Sequence, residues 1–380
     1  MSRFNVEQSA DVSPGLVLPM RERQLWVHFI DLISRRKTKF GLHSQFNNNE
    51  SQVEMTNNDS TIDISRYDRQ VRLWGAESQQ KMMNSRVLYI HVTGVTAEIM
   101  KNLALAGIKA TICDTRSARD MPPHLFTPPH PAKRAKYASV AHAVQPLVEE
   151  MNPLLRGCPI LEKEVAELTQ EDLEPFSVIV ASQIPLEQAV RLAKIVTKFG
   201  SQFYLADCFG WNGAALMDLG KDLTYRPEQG KALLDPVPLS AYTSMEDLVQ
   251  VPLNQCVNRF HKTPPPVYLQ YRCLLEYQAR KGHFLGEAAT SNDEDADDIT
   301  LCSDYLKLQG VSLPEETLSA LAKAGMAQVV PVCAVMGGIL GNEIIKVISG
   351  KGEPANNTIL FDGQAGKAWT FLVQPKPINS

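Results

Sequence analysis

The sequence predicts an α/β fold, a doubly wound and mostly parallel sheet with helices on both faces. Three observations carry this. A strand, a tight turn, a helix and a second strand follow one another within about 30 residues from Arg86, the opening unit of a parallel sheet. The alternation of strand and helix resumes between residues 177 and 206 and again after residue 332. With 380 residues, 44% of them hydrophobic and 21% charged, the chain is long enough to bury a substantial core.

The elements follow in order. Ser65–Ser85 reads as a helix, and Arg86–Val92 as an apolar strand. A helix near Thr96–Ala106 ends at Gly107, and Ala110–Cys113 is a second strand closed by Asp114. Ser177–Ala181 and Gln202–Ala206 are strands flanking a helix at Leu186–Phe199. Residues 221–266 are proline-rich and end in Pro264-Pro265-Pro266, which predicts irregular or edge structure. Val267–Lys281 is a helix, and the acidic residues within 286–300 predict a solvated, flexible loop. A helix at Val332–Ile348 and strands at Thr358–Phe361 and Ala368–Val373 close the fold.

Residues 1–60 differ, with asparagine clusters and little sustained periodicity, and predict a poorly ordered extension before a domain over 61–380. Within them Trp26, Phe29, Ile30 and Ile33 fall on one face of a short helix. The basic cluster Arg35-Arg36-Lys37-Thr38-Lys39 reads either as a nuclear-localisation element or as a solvated tail, which translation from Met55 would omit.

Net charge is −4, so no global basic field points to nucleic acid. No stretch is expected to approach the ~20 apolar residues of a membrane span, and the N-terminus lacks the pattern of a signal peptide. The seven cysteines form no C-x-x-C pair and read as reduced, buried thiols. None lies in a turn with basic neighbours, so a thiol nucleophile has no support, and Cys333 reads as core.

A nucleotide fold of this kind needs glycines in its first strand–helix turn, where backbone amides meet phosphate. Here the turn is His91-Val92-Thr93-Gly94-Val95-Thr96-Ala97, with one glycine and with side chains at His91 and Thr96 that a phosphate cradle would lack. Asp114 stands about 20 residues after Gly94, the offset of a ribose-binding carboxylate. The turn therefore reads as a damaged cradle without nucleotide. His91 is either a packed strand-end residue or a ligand.

Two segments carry more than packing. In Arg66-Tyr67-Asp68-Arg69-Gln70-Val71-Arg72, Arg69 and Arg72 share one helix side, either as a solvated face or as a clamp for a polyanion. Gly337, Gly338 and Gly341 interrupt an apolar helix at ~1 kcal/mol each, which fits either close packing within the chain or contact with another subunit.

These segments belong to an ordered set of motifs. It comprises Tyr67-Asp68-Arg69-Gln70-Val71-Arg72-Leu73-Trp74-Gly75, Ala97–Leu103, Met151-Asn152-Pro153, Phe209-Gly210-Trp211-Asn212-Gly213, Pro331–Gly341 and Phe361-Asp362-Gly363. In this order the set resembles the ubiquitin-like activating enzymes, most of all the small, non-thiol subunits of the SUMO-activating branch, from about Ile64 to Val373. The resemblance implies a Rossmann-like, ThiF-type adenylation fold in the inactive half of a heterodimer. It implies a thiol-bearing partner that binds ATP and Mg, adenylates a SUMO-type modifier and takes it as a thioester, with no cofactor or metal in this chain and no nucleic-acid or membrane partner.

It further implies that Arg69 is lent across the interface to the partner's ATP, with Arg72, Gly337, Gly338 and Gly341 at that interface. His91, Gly94, Thr96 and Asp114 become vestigial positions. A charge pair at ~4 Å is worth about 4 kcal/mol at an effective dielectric of 20, enough to matter to rate. Active halves carry Asn-Arg-Gln after the second-strand acid, where this chain has Asp114-Thr115-Arg116-Ser117, and a metal-holding acid where it has Ser182-Gln183. The isolated chain is then expected to be inactive, in the nucleus and also the cytoplasm. A regulatory subunit of NEDD8 activation, a self-sufficient sulfur-carrier adenylating homodimer and an NAD-dependent oxidoreductase are the alternatives.

Overall fold

The computed structural model describes residues 67–152, 156–229, 232–257, 263–286 and 294–375. The expected N-terminal extension, its short helix and its basic cluster lie outside them, as does Pro153.

The first predicted helix is two, α1 (Asp68–Trp74) and α2 (Ala76–Asn84), because Gly75 adopts φ +82° and ends the first ladder. The opening unit follows as β1 (Arg86–Ile90), α3 (Gly94–Leu105) and β2 (Lys109–Cys113), then α4 (Val140–Met151). Next come β3 (Val178–Ala181), α5 (Leu186–Val196), β4 (Gln202–Phe209) and β5 (Asn212–Asp218). The proline-rich stretch holds two minimal two-stranded ribbons and the short α6 (Met245–Gln250). The chain closes with α7 (Pro266–Lys281), α8 (Glu294–Leu308), α9 (Glu315–Ala324), α10 (Val330–Ser349), β6 (Thr358–Asp362) and β7 (Lys367–Thr370).

The main sheet has the order β7-β6-β5-β4-β3-β1-β2. Its half β2-β1-β3-β4 is parallel, with Leu88 opposite both Thr111 and Ile179. The half β4-β5-β6-β7 is antiparallel, added through the hairpin at Gly210-Trp211. Alternate strand residues feed two cores. Val87, Tyr89, Val178 and Val180 pack with Ile99, Val144 and Leu340 of α3, α4 and α10. Leu88, Ile90, Ile179 and Ala181 pack with Leu192, Tyr271 and Tyr305 of α5, α7 and α8.

Two expectations change. Part of the acidic stretch is helical: α8 starts at Glu294, and Asp297 and Asp298 lie near its N-terminus, where the helix dipole favours acid. Residues 287–293 of that stretch lie outside the described residues. Secondly, α10 is 20 residues long and apolar enough, by length and composition, to cross a membrane. Half of its apolar window is buried, and Lys346 pairs with Glu343 at 2.7 Å, so it behaves as the central helix of one core.

Candidate functional site

The order 2-1-3 makes the strand ends of β1 and β3 a topological switch point, where α/β sheets open a crevice for ligands. His91 and Gln183, immediately beyond those strands, both have positive φ, 61° and 50°. Such backbone costs about 1–3 kcal/mol per non-glycine residue and persists only where neighbours enforce it. The His91 ring supplies one restraint, with Nδ1 3.1 Å from the Gln183 carbonyl. Burial first, and the nearby Arg116 guanidinium second, depress the imidazole pKa.

The expected vestigial positions meet here, and each is satisfied from within. The Val92 amide donates to Asp114 at 2.7 Å, and the Thr93 amide donates to Thr96 Oγ1 at 2.7 Å. The Thr96 hydroxyl in turn donates to the His91 carbonyl at 3.0 Å. Arg116 grips Asp114 with both Nε (2.9 Å) and Nη2 (2.8 Å), so the carboxylate that would face a ribose is already paired. The Gly94 amide donates to the side-chain oxygen of Gln328, delivered from just before α10. A Cβ at Gly94 would lie 2.6 Å from that oxygen and 2.8 Å from Cys333 Sγ. The glycine therefore admits these two side chains, and the Gly94 amide is engaged within the chain itself.

Beneath the turn runs a buried polar chain. Thr93 donates to Ser182 at 2.9 Å, Ser182 to Asp207 at 2.7 Å, and Tyr271 to the other Asp207 oxygen at 2.7 Å. Burial raises the Asp207 pKa against the lowering effect of these hydrogen bonds. The sequence marks Ser182 only as standing where active halves carry an acid, and it gives no sign of Gln328 or Asp207, which approach the turn from remote segments.

α3 and α10 pack against each other, and α1 is tied to the end of α3 and to the residues that follow α10. Gln70 donates to the Leu105 carbonyl at 3.0 Å, Asn102 to the Gly337 carbonyl at 3.1 Å, and Lys351 to the Trp74 carbonyl. The glycines divide between the two readings. A Cβ on Gly337 would strike Glu98, and one on Gly341 would lie 3.0 Å from the Asn102 Cβ, so packing on α3 of the same chain accounts for both without another subunit. Gly338 faces open space. Arg72 folds back onto Asp68 at 3.0 Å, whereas Arg69 is exposed and forms no ion pair among the described residues. All seven cysteines are free and buried, and burial pushes the thiols of Cys113 and Cys158 up to about 12. Such thiols are poor nucleophiles.

Fold and site thus define a nucleotide-type α/β domain whose own crevice is filled by its own side chains. The chain belongs to the ThiF family, whose profile matches residues 67–377. It is 29% identical over 335 residues to SUMO-activating enzyme subunit 1 of Xenopus laevis, covering 80% of this chain and 94% of that protein. It is 31% identical over 316 residues to SUMO-activating enzyme subunit 1B-1 of Arabidopsis thaliana (79% and 93%), and 26% identical over 351 residues to the Homo sapiens subunit 1 (83% and 97%).

Proposed function

We propose that this chain is the non-thiol subunit of a heterodimeric SUMO-activating enzyme. Its role is to support ATP-dependent adenylation of the modifier's C-terminus and transfer of the modifier to a thiol on the partner subunit. The carrying observation is a division of labour in the cationic and nucleotide elements. The turn that would hold a nucleotide is closed by Gln328 and Arg116, while Arg69 stands exposed without a carboxylate partner among the described residues. The names of the similar proteins support the SUMO branch over the NEDD8 alternative.

On this account ATP and Mg belong to the partner, and this chain supplies fixed positive charge from Arg69. The planar guanidinium fork matches phosphate oxygens two at a time. The partner would meet exposed residues of α1 and α10: Leu73 is 73% exposed, Val330 is 56% exposed, and Gly338 leaves room for a close approach. Arg72 precedes Leu73 on α1. We place the complex in the nucleus and also the cytoplasm.

The test is co-expression with a larger, thiol-bearing homologue, followed by thioester assays with SUMO and with NEDD8. A stable one-to-one complex charging SUMO supports the proposal. Charging of NEDD8 alone would move the chain to the other branch, and adenylation by the isolated chain would overturn the division of labour.

A further inference from the structure

The turn is closed by side chains of the chain itself. We propose that Gln328 is a built-in occupant of the phosphate position, holding the N-terminus of α3 as an anionic oxygen otherwise would, and that Arg116 likewise occupies the ribose carboxylate Asp114. The inference concerns this chain's own crevice and stands whether or not the partner is a SUMO-activating subunit.

The first amides of a helix lack partners within the helix and attract an acceptor. At the entry to α3 three successive amides have partners: Val92, before the cap, donates to Asp114, Thr93 at the N-cap to Thr96, and Gly94, the first helical residue, to the Gln328 oxygen. A neutral amide oxygen satisfies the last without bringing a charge into the crevice. The placement of Gln328 is fixed by the two residues before it. The Gly210 amide donates to the Ala327 carbonyl at 2.7 Å, the Met326 amide to the Leu285 carbonyl at 3.1 Å, and the Gln183 side chain to the Met326 carbonyl at 3.4 Å. The Cys333 thiol donates toward the same Gln328 oxygen at 3.9 Å. The other end of that amide, Nε2, is buried without a partner, so the side chain is held through its oxygen alone.

Gly94 belongs to the same device, since any Cβ there would displace the Gln328 oxygen. Gln328 also lies directly before α10, so its bond to Gly94 links the first turn of α3 to the start of the central helix. It is a positioning residue: it sets the entry of α10 by ligating α3, and its removal vacates an acceptor-seeking amide.

The experiment is hydrogen–deuterium exchange of the peptide carrying Gly94 in the full-length chain, with and without millimolar inorganic pyrophosphate. Wild type is expected to be protected and indifferent to pyrophosphate. Gln328→Ala is expected to exchange about tenfold faster there, as loss of one hydrogen bond allows, with protection restored by pyrophosphate. Gln328→Glu keeps an acceptor suited to a helix N-terminus and should remain protected without pyrophosphate. Gln328→Asn, one methylene shorter, replaces the alanine variant if that fails to fold, with the same readouts deciding. Unchanged protection in the shortened variant, protection lost but not restored by pyrophosphate, or a pyrophosphate response already present in wild type would each overturn the proposal.

Discussion

The side-chain amide of Asn152 donates to the Tyr67 hydroxyl at 3.0 Å and to the Ala104 carbonyl at 2.7 Å. Asn152 is fully buried and Tyr67 is 1% exposed. One side chain at the end of α4 thereby fixes the start of α1 against the end of α3. Two motifs some 85 positions apart are one structural unit. Asn152→Ala should cost about 1–3 kcal/mol, because it removes two buried hydrogen bonds, those to the Tyr67 hydroxyl and to the Ala104 carbonyl, the latter keeping the Gly107 amide. Urea unfolding monitored by circular dichroism checks this, and Asn152→Asp, which loses the donors, should be no milder.

Gly337 and Gly338 are adjacent yet should respond oppositely. Gly337→Val forces bulk against Glu98 on α3 and should lower stability by about 1–3 kcal/mol. Gly338→Ala meets open space and should raise helix stability by up to about 1 kcal/mol. Gly338→Arg should leave the isolated chain folded but weaken association with the thiol-bearing subunit. Thermal unfolding of the chain and analytical ultracentrifugation of the mixture separate the two effects.

His124 provides a pH handle. Burial, the largest cause, lowers its pKa from 6.5 to about 4, the Arg116 guanidinium adds to the lowering, and Asp114 opposes it. The unfolded state therefore binds the extra proton between these values. The stability due to keeping this ring neutral is present above pH 6.5 and is lost as pH falls toward 4, on the order of 3 kcal/mol. His124→Asn should flatten that part of the stability curve, measured as urea midpoints from pH 7 to pH 4.

The pattern of legibility follows from distance along the chain. The unit β1–α3–β2 was readable because its period, turn glycine and closing aspartate are local signals. Within the described residues, the single helix predicted over Ser65–Ser85 is broken at Gly75, whose positive-φ backbone is invisible to periodicity. β5 escaped notice because Asn212–Asp218 is buried by pairing on both sides rather than by an alternating pattern. Aspartates that read as a solvated loop are helical, since acid near a helix N-terminus is favoured rather than merely tolerated. The side chains that crowd the turn, His91 and Thr96, are legible in the sequence. What fills it is not, because Gln328 arrives from 234 positions away.

The role assigned to Arg69 is the centre of the functional account. The measurement is modifier-dependent ATP–pyrophosphate exchange by the reconstituted heterodimer carrying wild type, Arg69→Ala or Arg72→Ala. Arg69 is exposed and unpaired among the described residues, so Arg69→Ala should leave folding and association intact while slowing exchange at least about tenfold, the scale of one lost charge-assisted contact in a transition state. Arg72, engaged with Asp68, should matter less to exchange. An unchanged exchange rate in an intact Arg69→Ala complex would contradict the account.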